Sequence, residues 1–176
     1  ASGLAAGPFA AASAWAQGAY PTAKSIRYIV PVAAGGGADM IARAGQVGGL
    51  DAADLNFPDH FAAHDAGQLS DLLAAQGMAL NGLAMRYYTE PEFKLGAFTH
   101  PDPRIRRAAI DLTKRGLDAL AAMGGTVMTL WMGQDGFDYP CQADYARMWD
   151  DTLEALAEVC DHNPALDVSV EYKPNE

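Results

Sequence analysis

Asp102-Pro-Arg-Ile-Arg-Arg-Ala-Ala-Ile-Asp-Leu-Thr-Lys-Arg-Gly-Leu-Asp-Ala-Leu-Ala-Ala-Met-Gly-Gly-Thr-Val-Met-Thr-Leu-Trp131 reads as a helix followed by a strand. Asp102 can accept hydrogen bonds from the first free N–H groups, and Pro103 suits the first turn. Ile105, Ala108, Ala109, Leu112, Leu117 and Leu120 then recur at helical spacing as a buried stripe to Met123. Gly124-Gly125 ends the helix, and Thr126 to Trp131 is a β-rich run with one apolar face.

The same alternation continues in both directions. Ala53 to Asn56 has strand character, Gln68 to Gln76 is helical with Gly77 as its stop, and Met78 to Met85 is a second strand candidate. Beyond Trp131, Met132 to Cys141 is a Gly- and aromatic-rich loop, Asp144 to Cys160 is an amphipathic helix, and Val168 to Tyr172 is a strand. Strands alternating with helices predict an α/β fold with a parallel sheet. The length suits a partial (β/α)8 TIM barrel, about half of one; an open doubly wound sheet fits the alternation nearly as well.

The 176 residues suit one domain, and half are hydrophobic. A net charge of −10 argues against nucleic acid or an anionic membrane as partner. Residues 1–49 carry Lys24, Arg27 and Arg43 against Asp39, so the remainder holds −12, an asymmetry that suggests two origins. Two cysteines, Cys141 and Cys160, make neither a disulfide framework nor a zinc motif. No run reaches the length of a transmembrane helix.

Leu4 to Gln17 looks like the tail of a secretory signal peptide, with Ala14-Trp15-Ala16 fitting the small-x-small pattern. Ser25 to Pro31 is a short β-rich run, Ala33 to Asp39 a Gly-rich loop, and Met40 to Arg43 opens a helix. Glycines before a helix can cradle an anion, but the loop lacks both phosphate-binding fingerprints, and a tight strand-to-helix turn is the simpler reading. Tyr20-Pro21, Ile26 to Pro31, Ala33 to Gly37, Asp39 and Ala42-Arg43 resemble the solute-binding proteins of tripartite tricarboxylate transporters. In that family the loop helps hold a substrate carboxylate. The expected division is a leader over 1–19, a strand-loop-helix segment over 20–47 and the barrel-like unit over 48–176.

In a barrel, functional residues gather past the C-terminal strand ends. The candidates there are His60 with Asp59 and His64, then Arg86 with Tyr87 and Tyr88, then Trp131 to Gly136, and finally Glu171 with Lys173. Glu171 and Lys173 share one strand face, a carboxylate beside an ammonium. A carboxylate there suits a hard cation, and an ammonium can polarise a substrate oxygen.

Residues 48–176 resemble the xylose isomerase-like family of sugar isomerases. Pro91 to Thr99 is similar to that family's loop after its third barrel strand, and Asp102 to Arg107 to its Asp-x-x-x-Arg-Arg helix start. Leu130-Trp-Met-Gly-Gln-Asp-Gly136 is similar to its Trp-Gly-Gly-Arg-Glu-Gly turn, and Glu171-Tyr-Lys-Pro-Asn-Glu176 to its Glu-Pro-Lys-Pro-Asn-Glu strand end. The resemblance implies that Glu171 binds a divalent metal (Mg, Mn or Co). It makes Lys173 a partner of the open-chain sugar's carbonyl oxygen, and Trp131 and Tyr88 apolar walls around the hydrogen transfer. The implied reaction is aldose–ketose interconversion between C1 and C2 of a small-molecule sugar, in a cytoplasmic enzyme that is a homo-oligomer when complete.

The departures are specific. Phe57-Pro58-Asp59-His60 places Pro58 where the family has its ring-opening His, with His60 displaced by two, which favours a sugar other than xylose. Met132 and Gln134 replace a Gly and an Arg of the turn motif. Plainer readings stand beside the sharper ones: Glu171 and Lys173 as a surface ion pair, Trp131 as core, His60 and His64 as solvated loop residues, and the acids of Asp144 to Cys160 as a wetted helix face. A periplasmic carboxylate-binding protein fragment and an inactive chimera are the alternatives. The sequence leads us to expect low stability, weak metal binding and two open sheet edges.

Overall fold

A computed structural model of the chain describes residues 27–29, 36–133, 135–137 and 141–171. Among the described residues, five parallel strands form one sheet: β1 (Arg27–Ile29), β2 (Ala52–Phe57), β3 (Ala79–Met85), β4 (Val127–Trp131) and β5 (Asp167–Glu171). Four α-helices of the described residues alternate with them: α1 (Gly36–Gly45), α2 (Ala66–Ala75), α3 (Pro103–Ala122) and α4 (Tyr145–His162). Spatial order follows chain order from β1 to β5. A doubly wound sheet reverses direction at a switch point, whereas a barrel adds each strand on the same side. The order therefore decides between the two architectures left open by alternation, in favour of a partial TIM barrel. β1 runs parallel to β2, with Arg27 opposite Ala52, so the strand-loop-helix segment shares the sheet of the barrel-like unit.

Local chemistry explains each element. Asp65 caps α2: its Oδ1 accepts from the Gln68 N–H at 2.9 Å, while Gln68 Oε1 accepts from the Asp65 N–H at 3.0 Å. This reciprocal pair starts the helix two residues earlier than its apolar spacing alone suggests. Gly77, at φ +71°, turns the chain out of α2. Asp102 accepts from the Arg104 N–H at 2.8 Å with Pro103 in the first turn, as the sequence predicts. Asp144 does the same for α4, through the Arg147 N–H at 3.1 Å.

The core lies between the sheet and its helices. Leu55 and Phe57 on β2, Leu83 and Met85 on β3, and Met128 and Leu130 on β4 are all buried. α3 approaches this surface most closely at Gly116, where a Cβ would sit 2.9 Å from Met128 Cε, 3.0 Å from Met85 Sδ and 3.2 Å from Phe57 Cδ1. Of the predicted stripe, Ala109, Leu112, Leu117 and Leu120 are buried, and Ile105 and Ala108 are half-buried. Ile110, Thr113 and Gly116 are buried as well, because α3 is covered by the sheet and by neighbouring helices together.

α3 and α4 are also tied by charge. Glu158 Oε2 accepts from Arg107 Nη2 at 2.8 Å, and Oε1 from Lys114 Nζ at 2.6 Å. The Arg107 bond, then that from Lys114, holds the Glu158 carboxyl down at about 2. A carboxyl whose folded value is depressed stabilises fully above its unfolded value of 4.5 and loses that contribution as pH falls towards about 2. Because the pair faces water, the contribution is at most about 1 kcal/mol. The urea-unfolding difference between the chain and Glu158→Gln should have that size near neutral pH and shrink steadily in acid. A difference independent of pH would contradict the assignment.

Candidate functional site

β3, β4 and β5 deliver their C-terminal ends to one rim. Trp131 closes β4 and Glu171 closes β5, and the two are register partners in adjacent parallel strands. Register partners in a parallel pair point to the same face, so the indole and the carboxylate project together. Glu171 is exposed and Trp131 half-buried. Tyr88 lies just past β3, in the short helical turn Tyr87–Thr89. Its ring meets that of Trp131 edge-on, with centroids 4.8 Å apart and planes at 79°. Arg86 lies over the Tyr88 ring, its guanidinium carbon 5.4 Å from the centroid, and Arg86 Nη1 donates to the Tyr88 hydroxyl. The two rings thus form an aromatic corner, with the Arg86 guanidinium against the Tyr88 ring.

The turn's other tyrosine serves the core. Tyr87 is buried, with its hydroxyl 2.5 Å from Thr113 Oγ1, which in turn donates to the Ala109 carbonyl at 2.8 Å. Since Thr113 uses its proton there, Tyr87 donates its own to Thr113. Burial, the leading cause, raises the Tyr87 phenol well above its ordinary value. Phe93 and Phe98 pack against the Tyr87 ring at 5.9 Å and 5.7 Å. Tyr87 therefore anchors the turn that presents Tyr88.

His60 occupies a different environment. It lies in the short turn Asp59–Phe61 after β2 and is 3% exposed. Its Nδ1 accepts from the Asn56 N–H at 3.0 Å, which leaves Nε2 as the protonated nitrogen of the neutral ring; Nε2 is buried without a hydrogen-bond partner. Burial is the main cause lowering its pKa; Arg86 acts in the same direction and Asp59 opposes them. The imidazole lines a small cavity with Met40, Ile41 and Ala44 of α1. Gly37 makes this packing possible, since a Cβ there would sit 2.6 Å from the His60 carbonyl oxygen. The structure thus brings Tyr88 against Trp131 and Trp131 into register with Glu171, while His60 is buried against α1. Lys173 lies outside the described residues, as does the loop stretch 33–35.

One rim residue had no role assigned from the sequence. Asp135, in the turn after β4, receives the Ala97 N–H on Oδ1 across 38 positions of chain. Burial raises its carboxyl pKa, against the opposing pull of the N–H groups of Ala97, Phe98 and Thr99. A cleft of about 550 Å³ opens beside it, lined by Trp131, Met132, Asp135, Trp149 and Glu171 among others. The signal available in the sequence was the Trp-x-Gly-x-acid-Gly turn itself, which groups Asp135 with the rim candidates but gives a role only to the Trp.

Glu171 offers the hard oxygen that Mg, Mn or Co would take. Among the described residues, however, no three His, Cys, Asp or Glu side chains gather around one point. These residues do not by themselves enclose a cation. Cys141 and Cys160 are exposed free thiols. No helix among the described residues is long and apolar enough to cross a membrane.

A family model described as a xylose isomerase-like TIM barrel matches residues 37–174. The chain belongs to that family. The match opens inside α1, upstream of residue 48 where the resemblance of the sequence begins. The xylose isomerase of Thermus thermophilus is 30% identical over 104 residues, covering 57% of this chain and 27% of that protein. The xylose isomerase of Paraburkholderia phytofirmans is 29% identical over 117 residues, covering 62% and 27%. Among solved structures, a D-allulose 3-epimerase from Methylomonas sp. aligns with a TM-score of 0.58 at 19% identity, over 76% of this chain and 44% of that one. A xylose isomerase domain protein from Planctomyces limnophilus aligns at 0.55 and 14% identity, over 77% and 50%. At these identities the structural matches establish the fold. The chain spans about a quarter of the curated relatives and about half of the structural ones.

Proposed function

We propose that this xylose isomerase-like chain contributes to a sugar isomerase or epimerase site, acting on a small open-chain sugar. In this reading hydrogen moves between C1 and C2 of the sugar, interconverting aldose and ketose. The observation that carries it is the edge-on Tyr88–Trp131 wall beside the Glu171 carboxylate at one rim. A hydride shift needs a surface that excludes water, and two apposed aromatic rings provide one. Lys173 would hydrogen-bond the sugar carbonyl oxygen. Glu171 would be one ligand of a divalent cation, Mg, Mn or Co, among others not grouped with it here. His60, buried and neutral against α1, would act on the sugar only if α1 moved. A cytoplasmic, oligomeric enzyme is the setting this reading implies. The transporter-like alternative rests on residues 20–44, most of which lie outside the described residues.

The test combines Mn titration with isotope tracing. Mn(II) binding by the chain should be weak, with Kd of about 10⁻⁴–10⁻³ M as for sites with few charged ligands, and Glu171→Gln should abolish it. Any turnover of D-xylose or D-allulose in D2O should retain the substrate hydrogen, as a hydride shift requires. Solvent deuterium in the product would replace the hydride shift with proton transfer. Mn binding or turnover untouched by Glu171→Gln would overturn the site.

A further inference from the structure

We propose that Asp135 is a positioning residue of the rim: its carboxylate ties the turn at 96–99 to the turn after β4 and thereby holds Trp131 in place. Its importance for catalysis rests on the function proposed above; its effect on Trp131 does not.

Three observations converge. First, the Ala97 N–H of another loop donates to Asp135 Oδ1, and the neighbouring N–H groups of Phe98 and Thr99 act with it to lower the carboxyl pKa against burial. Second, Gly96 is shaped around it. That residue has φ +109°, and a Cβ there would lie 2.7 Å from Asp135 Oδ1 and 2.6 Å from Thr99 Oγ1. Only glycine lets the two loops close to this distance. Third, the turn that carries Asp135 lies directly on the indole. The Asp135 N–H donates to the Met132 carbonyl at 2.9 Å, closing the turn. Gly133 within it has no room for a Cβ, which would be 2.5 Å from Trp131 Cζ2 and 2.6 Å from Cε2. The chain between Trp131 and Asp135 is therefore pinned at one end by β4 and at the other by the carboxylate.

Asp135 Oδ1 is engaged by the Ala97 N–H, while Oδ2 is buried without a hydrogen-bond partner although the residue borders the cleft. Removing the carboxylate leaves the Ala97 N–H without its acceptor, so the two turns separate and water reaches the indole.

Trp131 reports on this directly once Trp15 and Trp149, the other two tryptophans, are replaced by Phe. In that background Asp135→Ala should raise acrylamide quenching of Trp131 by about twofold or more, as expected for a locally opened turn. Asp135→Asn, which keeps a carbonyl oxygen for the Ala97 N–H, should restore most of the protection. Glu158→Gln supplies a control, since it weakens the α3–α4 ion pair without touching either turn. Unchanged quenching in Asp135→Ala, or an equal rise in Glu158→Gln, overturns the proposal. If Asp135→Ala does not fold, Gly96→Ala decides: it displaces the same carboxylate, so a quenching rise supports the clamp and none overturns it. Because no sugar or metal enters the readout, failure of the proposed activity leaves this outcome separate.

Discussion

Phe98→Ala is expected to cost about 3–5 kcal/mol of folding stability, the range for truncating a large buried aromatic. The Phe98 ring is fully buried and packs at 5.7 Å, tilted by 60°, against Tyr87. Two aromatic neighbours are held in place: Tyr87 by its hydroxyl to Thr113, and Phe93 edge-on against the same Tyr87 ring. The consequence reaches the rim from both sides. Tyr87 precedes Tyr88, and Phe98 lies between Ala97 and Thr99, whose N–H groups face Asp135. Urea unfolding should show a lower midpoint with an unchanged slope, and near-UV circular dichroism of the folded variant should weaken as the aromatic packing loosens. A midpoint equal to that of the parent chain would mean that this cluster is not the support of the rim described above.

Gly82→Val is expected to destabilise by about 3 kcal/mol, at the upper end of the overpacking range. Gly82 pairs with Asp54 on one side and Val127 on the other, in the middle of the sheet. A Cβ there would lie 2.6 Å from the Val127 carbonyl oxygen and 3.2 Å from Asp54 Oδ1. The first of these is backbone and cannot rotate aside, so β3 and β4 would have to separate. Asp54 would meanwhile be pushed off Asn81, whose Nδ2 donates to its Oδ1 at 2.7 Å. Because β3–β4 pairing aligns Met85 with Leu130 below the rim, the variant should also shift Trp131 fluorescence. A stable Gly82→Val variant with parental Trp131 emission would refute the close strand approach.

Much of the scaffold was legible from local chemistry. Asp102-Pro103 and Gly124-Gly125 bound a helix by capping and by conformational freedom, both of which act within a few residues. The capping pair Asp65 and Gln68 was equally local but was passed over, because apolar spacing begins only after it. The rim was partly legible: Tyr88, Trp131 and Glu171 were grouped by their places after successive strands. His60 was grouped with them on the same rule, yet it lies beneath α1. That outcome depends on Gly37 letting a distant helix settle on the turn, and strand-end position cannot express it.

The sequence by itself determined that strands and helices alternate, where helices start and stop, and which motifs tie the chain to xylose isomerase-like barrels. Each of those follows from periodicity, caps and residue order, which are short-range properties. Only the tertiary structure decided that the strands lie in chain order, that Tyr88 and Trp131 meet edge-on, and that Asp135 bonds to a loop 38 residues away. Those outcomes depend on which surfaces are buried together and on the space that glycines leave between them. Alternation is compatible with more than one sheet order, and an acidic residue in a turn is compatible with solvent. Packing removes that freedom.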